Sequence, residues 1–324
     1  MVTGVGLISG GLDSMLAARV LRDQGIRVMG VSFVTPFFGS ERAERAAEVL
    51  NIELRVMDIT QVHLEMVQSP KHGYGKEMNP CIDCHALMFR EAGKVMETEG
   101  ADFIFSGEVL GERPMSQNRQ SLRIVARESG YEDLILRPLS AKLLPETLPE
   151  REGKVDREKL LDIAGRSRKR QMELAASYGI TEYVQPAGGC LLTVPGYARR
   201  LKELMEHNSI LEIRDVQLLG VGRHFRFNTG EKAIVGRNQD ENKKLLSMKD
   251  ETDVVLDVRD YPSPIAIVPH GASKEVITRA ASICVRYSDA PRDGEVAVIY
   301  HHSGRAYTLS TEPSLDEELD RIRI

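Results

Sequence analysis

The sequence predicts an α/β fold, a doubly wound parallel sheet, followed by a second and smaller α+β domain. In the first half of the chain, short apolar runs alternate with segments of helical periodicity, which is the pattern of a parallel sheet covered by helices. Beyond about residue 205, the apolar runs come in pairs around short turns, as in antiparallel sheets. The 324 residues suffice for two ordinary domains, which we expect at 1–205 and 206–324.

Four apolar runs of the first domain are predicted strands, at residues 5–8, 28–33, 54–57 and 102–106. Helices are recognised between them by apolar residues at helical spacing, as at Leu12, Leu16 and Val20. Boundary signals place the end of the first helix at Gly25, the second between Ser40 and Asn51, and the third between Pro80 and Gly100. The chain is predicted to be helical again from 156 to 178.

The second domain has the sequence pattern of an antiparallel sheet with two long helices. The stretches "VQLLGVGRHFRF" and "KAIVGR" are predicted to pair as strands around the turn "NTGE". Further strands are predicted in "DVVLDV", "PIAIV" and "EVAVIYHH". The strand in "EVAVIYHH" is predicted to be the last strand of the chain. Helices are predicted in "QDENKKLLSMK" and "SKEVITRAASICVRYS", and the tail "TEPSLDEELDRIRI" is predicted to be a short helix.

Composition excludes several classes of protein. No apolar run approaches the roughly 20 residues that a membrane span needs. The N-terminus lacks the basic and apolar regions of a signal peptide. Four cysteines are too few and too unevenly spaced for a disulfide framework. We therefore expect a cytoplasmic protein with reduced thiols and no membrane association.

Two groups of basic residues stand out against a net charge of -5. The first is "RSRKR" at 166–170, and the second lies between 214 and 244. Each is either a solvated helix face or a surface that contacts the phosphates of a nucleic acid. The candidates for phosphate contacts are Arg166, Arg168, Lys169, Arg170, Arg223, Arg226, Arg237, Lys243 and Lys244.

A glycine turn joins the first predicted strand to the first predicted helix, in the order Ser9-Gly10-Gly11-Leu12-Asp13-Ser14. Glycines let a backbone turn tightly and approach a ligand closely. The N–H groups at a helix N-terminus attract anions such as phosphate. Because a carboxylate beside phosphate is repulsive, Asp13 indicates either a bound Mg²⁺ or a role in positioning the nucleotide.

Three cysteines form a candidate metal site. Cys81 and Cys84 are three residues apart at the start of the long helix, so both sulfurs lie on one helix face. Cys190 follows Gly188 and Gly189, which permit close approach. Three cysteines suggest the ligands of a 4Fe-4S cluster with one open iron.

Other interpretations of these cysteines stay open. The spacing is also compatible with a Zn²⁺ site that has His85 as a further ligand. It is equally compatible with a persulfide route between Cys190 and one of the other two cysteines, or with a structural role. The fourth cysteine, Cys284, recurs at helical spacing with apolar residues and is interpreted as a core thiol.

The turn resembles the SGGxDS signature of the PP-loop ATP pyrophosphatases, at the place where that family carries it. That family cleaves ATP between the α and β phosphates and transfers AMP to an oxygen of the substrate. The resemblance implies that ATP and Mg²⁺ bind here, with the adenine near the end of the second strand. The implied nucleotide-binding residues are Ser9, Gly10, Gly11, Asp13, Ser14, Ser32, Phe33 and Gly107.

Further stretches resemble tRNA thiolation enzymes, over about residues 4 to 200. "ADFIFSGEVLGERPMSQ" and "LRPLS" are similar to segments of the 4-thiouridine synthetases, although Glu112-Arg113 replaces Gln-Val. "PCIDCHALMFREAGKV" resembles the CxxC helix of the same enzymes and of the tRNA 2-thiouridylases. Many 2-thiouridylases have Asp where this chain has Cys81, a departure that favours the iron–sulfur-dependent branch over the persulfide branch.

The resemblance implies an ATP-dependent tRNA sulfurtransferase that adenylates a uridine carbonyl oxygen and replaces that oxygen with sulfur. Asp13, Cys84 and Cys190 are then the catalytic residues, and Cys81, Cys84 and Cys190 hold the 4Fe-4S cluster. In the persulfide version, Cys190 carries the sulfur and Cys84 releases it as a disulfide forms. The implied partners are tRNA and a sulfur donor, either a cysteine desulfurase or sulfide, and a homodimer is left open.

Residues 210–324 resemble the NFACT RNA-binding domain in "GVGRHFRF", "AIVGRNQDENKKLL" and "ITRAASICVRYSDA". Asp257, Val258 and Arg259 stand where that family usually has a histidine, so no binding residue is carried over. Two alternatives compete with tRNA thiolation. One is a PP-loop sulfurtransferase or adenylating ligase that acts on a small molecule. The other is a non-catalytic RNA- or ribosome-binding protein, which has no need of the intact turn and the three cysteines.

Overall fold

The computed structural model describes residues 1–183 and 189–324. The chain divides into two compact units, Met1–Val194 and Pro195–Ile324. The boundary that we expected at residue 205 lies inside the first helix of the second unit, which spans Pro195–His207. This helix belongs to the second unit because the Tyr197 hydroxyl donates to the Val216 carbonyl and Arg200 donates to the Leu219 carbonyl.

Five parallel strands form the sheet of the N-terminal unit, in the order β3-β2-β1-β4-β5. The strands are β1 (Thr3–Leu7), β2 (Arg27–Val34), β3 (Glu53–Asp58), β4 (Phe103–Ser106) and β5 (Ile135–Leu136). The helices are α1 (Leu12–Arg22), α2 (Glu41–Leu50), α3 (Thr60–Gln68), α4 (Cys81–Glu99), α5 (Arg119–Ser129), α6 (Leu148–Arg151) and α7 (Lys169–Ser177). The predicted α/β class is confirmed.

Both faces of this sheet are buried, because side chains alternate along each strand. Phe103 and Phe105 point into a core with α1, α2 and α7, whereas Ile104 points into a second core with α4 and α5. The helix ends follow the sequence signals, since Asn51 and Gly100 both adopt the left-handed conformation that closes a helix.

The predicted helix at 156–178 is wrong over its first half. Only Lys169–Ser177 is α-helical, and a single 3₁₀ turn covers Arg157–Lys159. Gly165 has a φ of 85° and donates its N–H to the Leu110 carbonyl. The chain here therefore runs beside the loop after β4 and does not form a helix. The elements β5, α3 and α5 were not predicted.

The order of the strands creates a switch point between β1 and β4. The connections from β1 lead to β2 and β3 on one side, whereas β4 and β5 lie on the other side. In open sheets of this kind, ligands bind at the carboxyl ends of the strands where the order reverses. The glycine turn that follows β1 and Gly107, which follows β4, both lie at this place.

Six strands form the sheet of the C-terminal unit, in the order β11-β10-β8-β9-β7-β6, with antiparallel neighbours. The strands are β6 (Arg223–Arg226), β7 (Lys232–Val235), β8 (Val254–Val258), β9 (Ala266–Val268), β10 (Val296–His302) and β11 (Arg305–Thr311). The helices are α8 (Pro195–His207), α9 (Ile213–Leu218), α10 (Gln239–Ser247), α11 (Lys274–Arg286) and α12 (Asp316–Ile322). Helix α11 supplies much of the core against β8 and β10.

Two details of this unit differ from the prediction. The apolar run at 216–218 is the end of α9 and not part of a strand, and Val216 and Leu218 are buried there. A short apolar run suits a buried helix as well as a strand, so the pattern alone could not decide. Strand β10 is not the last, because β11 follows; its mostly exposed side chains give little apolar signal.

No helix in the described part of the chain is both long enough and apolar enough to cross a membrane.

Candidate functional site

The glycine turn packs tightly under the start of α2. Gly10 has a φ of 77°, and a Cβ on it would lie 2.3 Å from the backbone oxygen of Arg42. The Ser14 hydroxyl donates to the Gly11 carbonyl at 2.8 Å, and the Gly11 N–H donates to the Ser9 hydroxyl at 3.3 Å. Only glycine fits at Gly10, and the turn leaves the N-terminus of α1 at the edge of the sheet.

Gly107 lies directly against this turn. A Cβ at Gly107 would be 2.4 Å from the carbonyl carbon of Asp13 and 2.4 Å from the nitrogen of Ser14. The carboxyl end of β4 therefore touches the first turn of α1. Two segments that are about ninety residues apart in sequence thus form one surface.

Ser32 and Phe33 are among the last three residues of β2, which ends at Val34. Phe33 is buried in the core with Val5 and Met29, and Ser32 is also buried. The chain beyond them lines an open depression of about 470 Å³. Its lining residues are Val34, Thr35, Pro36, Phe37, Phe38, Gly39, Ser40, Glu41 and Leu191.

Asp13 is surrounded by charged side chains that its local sequence does not contain. Arg168 lies 3.8 Å from Asp13 Oδ2 and 3.7 Å from Glu112 Oε1. Burial raises the pKa of Asp13, against the lowering effect of Arg168 and Arg113. Arg168 was a candidate for RNA contact, but its side chain is only 17% exposed and faces these carboxylates.

The structure brings the three predicted cysteines together. Burial raises the pKa of Cys84 far above its ordinary value, and the sulfurs of Cys190 and Cys81 raise it further. Burial also raises the pKa of Cys190 to about 11, and Cys81 adds to that rise. Each of these electrostatic effects requires proximity, so two segments more than one hundred residues apart converge on α4. Gly188, which we expected to help this approach, lies outside the described residues.

Arg113 connects the cysteines to the glycine turn. Burial raises the pKa of Cys81, and the Arg113 guanidinium lowers it. The same guanidinium lowers the pKa of Asp13. One positive charge therefore acts on both groups, so Asp13 and Cys81 both lie within electrostatic reach of the Arg113 side chain. Arg113 was noted in the sequence only as a departure from the 4-thiouridine synthetases.

The histidine in contact with Cys84 is His63, which the sequence did not single out. Its Nε2 lies 3.4 Å from Cys84 Sγ, and its ring packs against Phe37 and Phe38 with centroids 5.4 Å away in both cases. Burial lowers the pKa of His63 to about 4, so the ring is neutral at physiological pH. Phe37 also accepts a hydrogen bond from the Leu191 N–H, which fixes the segment that carries Cys190.

His85, the zinc ligand that we considered, is engaged elsewhere. Its Nδ1 lies 2.8 Å from Glu108 Oε1. The other oxygen of Glu108 accepts hydrogen bonds from Arg137 at 2.8 Å and from Ser106 at 3.2 Å. Burial would raise the pKa of Glu108, but Arg137 and His85 lower it to about 2. A buried ion pair thus supports the loop that begins at Gly107.

Several of the remaining basic candidates are bound within the protein. Arg170 pairs with Asp162, Arg226 with Glu203 and Arg237 with Glu241. Arg223 lies over the Tyr287 ring, 4.4 Å from its centroid. Arg166, Lys169, Lys243 and Lys244 are exposed, as are the paired side chains of Arg170 and Arg237. Cys284 is buried in the core of the C-terminal unit, as predicted.

The burial of the thiols leads to a prediction for the metal-free protein. Thiolate is the reactive form, so Cys190, with a pKa of about 11, should alkylate slowly with iodoacetamide at neutral pH. Its rate should rise about tenfold for each pH unit between roughly pH 7 and pH 10. Peptide-resolved mass spectrometry measures this, with the urea-unfolded chain as control. Alkylation at neutral pH as fast as in the unfolded chain would contradict the prediction.

Comparisons with known proteins match the two units separately. The family model described as "Thiamine biosynthesis protein (ThiI)" matches residues 2–142. The family model described as "NFACT protein RNA binding domain" matches residues 222–322. Both matches agree with the resemblances that the motifs carry.

Individual relatives match mainly the first unit. The "tRNA-specific 2-thiouridylase MnmA" of Sulfurimonas denitrificans is 34% identical over 113 residues, which are 32% of this chain and 33% of that protein. The "Probable tRNA sulfurtransferase" of Thermococcus kodakarensis is 29% identical over 170 residues, 49% of this chain and 39% of that protein. The chain thus spans about a third of the length of these curated relatives.

A solved 4-thiouridine synthetase–RNA complex with bound ATP is similar at 20% identity and a TM-score of 0.39, over 67% of this chain and 52% of that one. Residues 2–142 of the chain are thus similar to the ThiI family, and residues 222–322 are similar to the NFACT RNA binding domain.

Proposed function

We propose that the chain is an ATP-dependent tRNA sulfurtransferase, which adenylates a carbonyl oxygen of a uridine and exchanges that oxygen for sulfur. The observation that carries the proposal is the position of Arg113, whose charge acts on both Asp13 and Cys81. A turn suited to pyrophosphate and a group of three cysteines therefore share one site. Activation by ATP and delivery of sulfur are the two steps that need such neighbours.

The turn residues supply the nucleotide half of the reaction. Ser9, Gly10, Gly11 and Ser14 present donors at the N-terminus of α1, where phosphate binds well. Asp13 is suited to hold the Mg²⁺ that accompanies ATP, because a buried carboxylate oxygen prefers a hard cation. Arg113 and Arg168 offset the negative charge that grows on the leaving pyrophosphate.

The cysteines fit a 4Fe-4S cluster better than the alternatives. Among the described residues, three metal-binding atoms within 4.8 Å of one another occur only at Glu212, Asp215 and His270. At least two of the three sulfurs are therefore more than 4.8 Å apart, farther than the roughly 3.8 Å between ligands of a tetrahedral zinc with Zn–S bonds of about 2.3 Å. When bound, such a cluster would offer one iron without a protein ligand, where sulfide from the sulfur donor could bind. Cys81, Cys84 and Cys190 hold it, and the neutral His63 ring packs against the Cys84 sulfur.

The persulfide route is less well supported. It needs Cys190 as a thiolate nucleophile, and burial raises the pKa of Cys190 to about 11. The charge of Arg113 acts on Cys81 and is not among the influences on Cys190.

The C-terminal unit is proposed to hold the RNA. Exposed lysines on α10, Lys243 and Lys244, are suited to phosphate contacts, which position RNA without reading its sequence. The target uridine has to leave any base stack to reach the site. The proposed partners are thus tRNA and a sulfur donor, which is either a cysteine desulfurase or sulfide, in the cytoplasm.

The test begins with protein purified without oxygen. We expect about four iron and four sulfide per chain, with absorbance near 400 nm, in the wild type, and loss of both in Cys190→Ala. Cys284→Ala is the matched control, since it removes a cysteine outside the site. Zinc, or no metal in a folded wild type, would exclude the cluster and leave the persulfide route.

The substrate is tested by AMP release and by analysis of nucleosides. We expect AMP release that depends on tRNA, together with a thiolated uridine in digests of the tRNA. AMP release that is independent of RNA would instead favour a small-molecule substrate, and RNA binding without AMP release would favour a binding protein.

A further inference from the structure

A second carboxylate, Glu112, lies beside Asp13 at the glycine turn. The two are close enough that the Asp13 charge raises the pKa of Glu112 in addition to the effect of burial. Arg168 is an ion-pair partner of both, at 3.8 Å and 3.7 Å. Glu112 stands where the segment of the 4-thiouridine synthetases that it resembles has Gln.

The loop after β4 holds Glu112 in place through its own hydrogen bonds. Gly111, with a φ of 79°, donates its N–H to the Gln117 carbonyl at 2.7 Å, and the Glu112 N–H donates to the Val109 carbonyl at 3.1 Å. The Gln117 side chain in turn accepts a hydrogen bond from the Arg113 N–H at 3.2 Å. The position of Glu112 is therefore fixed by the fold and not by a flexible surface loop.

Several polar atoms of this site are buried without hydrogen bonds. Among the described residues, Asp13 Oδ1, Glu112 Oε2 and Arg168 Nε have no hydrogen-bond partner. The amide of Gln171, which is fully buried on the first turn of α7, has no hydrogen bond of good geometry within the described part of the chain; its approach to the Asp13 carboxylate is close enough to lower the pKa of Asp13. Leaving a buried polar group unpaired is unfavourable, and the unpaired oxygens of Asp13, Glu112 and Gln171 are the kind of atom that a hard cation binds.

We propose that Asp13 and Glu112 together form a two-carboxylate site for the divalent cation of the bound nucleotide, with the buried Gln171 amide beside it. Magnesium takes oxygen ligands and is commonly held by one or two carboxylates and the phosphates of the substrate. Without the cation, Arg168 and Arg113 offset the charge of the two carboxylates. With the cation, the Arg168 guanidinium becomes available to the phosphates.

This inference rests on the proposed function only for the identity of the nucleotide. The cation site itself is made by residues of the N-terminal unit and can be examined without tRNA, sulfur or the cysteines.

The test is a titration of the full-length protein with Mn²⁺, followed by electron paramagnetic resonance, in the presence and absence of α,β-methylene-ATP. The variant is Glu112→Gln, which keeps the shape of the side chain. The matched control is Glu158→Gln, whose side chain is 87% exposed on the same unit. Glu112→Asp keeps a carboxylate at a shorter reach, and circular dichroism confirms that each variant is folded.

We expect one Mn²⁺ per wild-type chain in the presence of the nucleotide, a loss of affinity of at least about tenfold in Glu112→Gln, and partial retention in Glu112→Asp. The affinity for the nucleotide without metal should not fall in Glu112→Gln. Unchanged Mn²⁺ affinity would overturn the inference. A loss of metal-free nucleotide affinity with unchanged metal dependence would also overturn it, because Glu112 would then only hold Arg168.

The two proposals fail separately. If Mn²⁺ affinity depends on Glu112 but no tRNA is thiolated, the cation site stands and the proposed function falls. If tRNA is thiolated but the Mn²⁺ affinity does not change in Glu112→Gln, the proposed function stands and the cation site falls.

Discussion

Replacing Asp13 with asparagine is expected to slow the cleavage of ATP by roughly 10²–10³-fold, the usual cost of losing one well-placed electrostatic group at a reacting phosphate. The substitution removes the charge while keeping the size of a side chain that lies between the turn and Arg168. Pyrophosphate release measures the rate. Binding of tRNA, measured by filter retention, should be unchanged because the proposed RNA contacts lie in the C-terminal unit.

Asp23→Asn is the matched control for this experiment. Asp23 caps the other end of α1 and has a side chain that is 41% exposed, with Arg19 four residues earlier and the Tyr178 hydroxyl as neighbours. Its replacement should leave ATP cleavage within about twofold of the wild type, as expected for an exposed ion pair worth less than about 1 kcal/mol. Equal activity of the Asp13 and Asp23 variants would show that the turn is not the site of cleavage.

The glycine turn could be predicted from sequence because its chemistry is local. Gly10 has to be glycine, and Ser14 closes the turn through a bond to Gly11 three residues earlier. The charged neighbours of Asp13 could not be predicted in the same way. Glu112 and Arg113 come from the loop after β4, and Arg168 precedes α7. A hydrogen bond between Gly165 and Leu110, and the packing of α7 on α1, bring these segments together.

The same contrast holds at the cysteines. The CxxC spacing and the glycine before Cys190 indicated one site, and the structure places the three thiols within electrostatic reach of each other. Sequence proximity pointed to His85 as the neighbouring histidine. The fold instead turns His85 towards Glu108 and brings in His63 from α3, a helix that the sequence did not reveal. Short or exposed elements such as β5 and β11 were missed for a related reason, since they contribute little periodic apolar signal.

Replacing Glu108 with glutamine is expected to destabilise the N-terminal unit by about 3–5 kcal/mol, because the charge of Arg137 would remain buried without its counter-ion. Both side chains of this pair are only 7% exposed, and Arg137 also donates to the Leu122 carbonyl at 3.3 Å. Urea unfolding followed by circular dichroism measures the loss. The double variant Glu108→Gln, Arg137→Met should recover much of it, since no charge is then buried.

The dependence on pH provides an independent check of the same pair. The pKa of Glu108 is about 2 in the folded state, below the ordinary value of 4.5. Its contribution to the free energy of unfolding is therefore present above about pH 4.5 and is lost as the pH falls towards 2. Glu108→Gln should therefore lose stability at neutral pH and differ little from the wild type near pH 2. Glu53→Gln, which removes a half-exposed partner of Arg27, should change stability by less than about 1 kcal/mol at either pH. A Glu108 variant as stable as this control at neutral pH would mean that the loop after β4 does not depend on the buried ion pair.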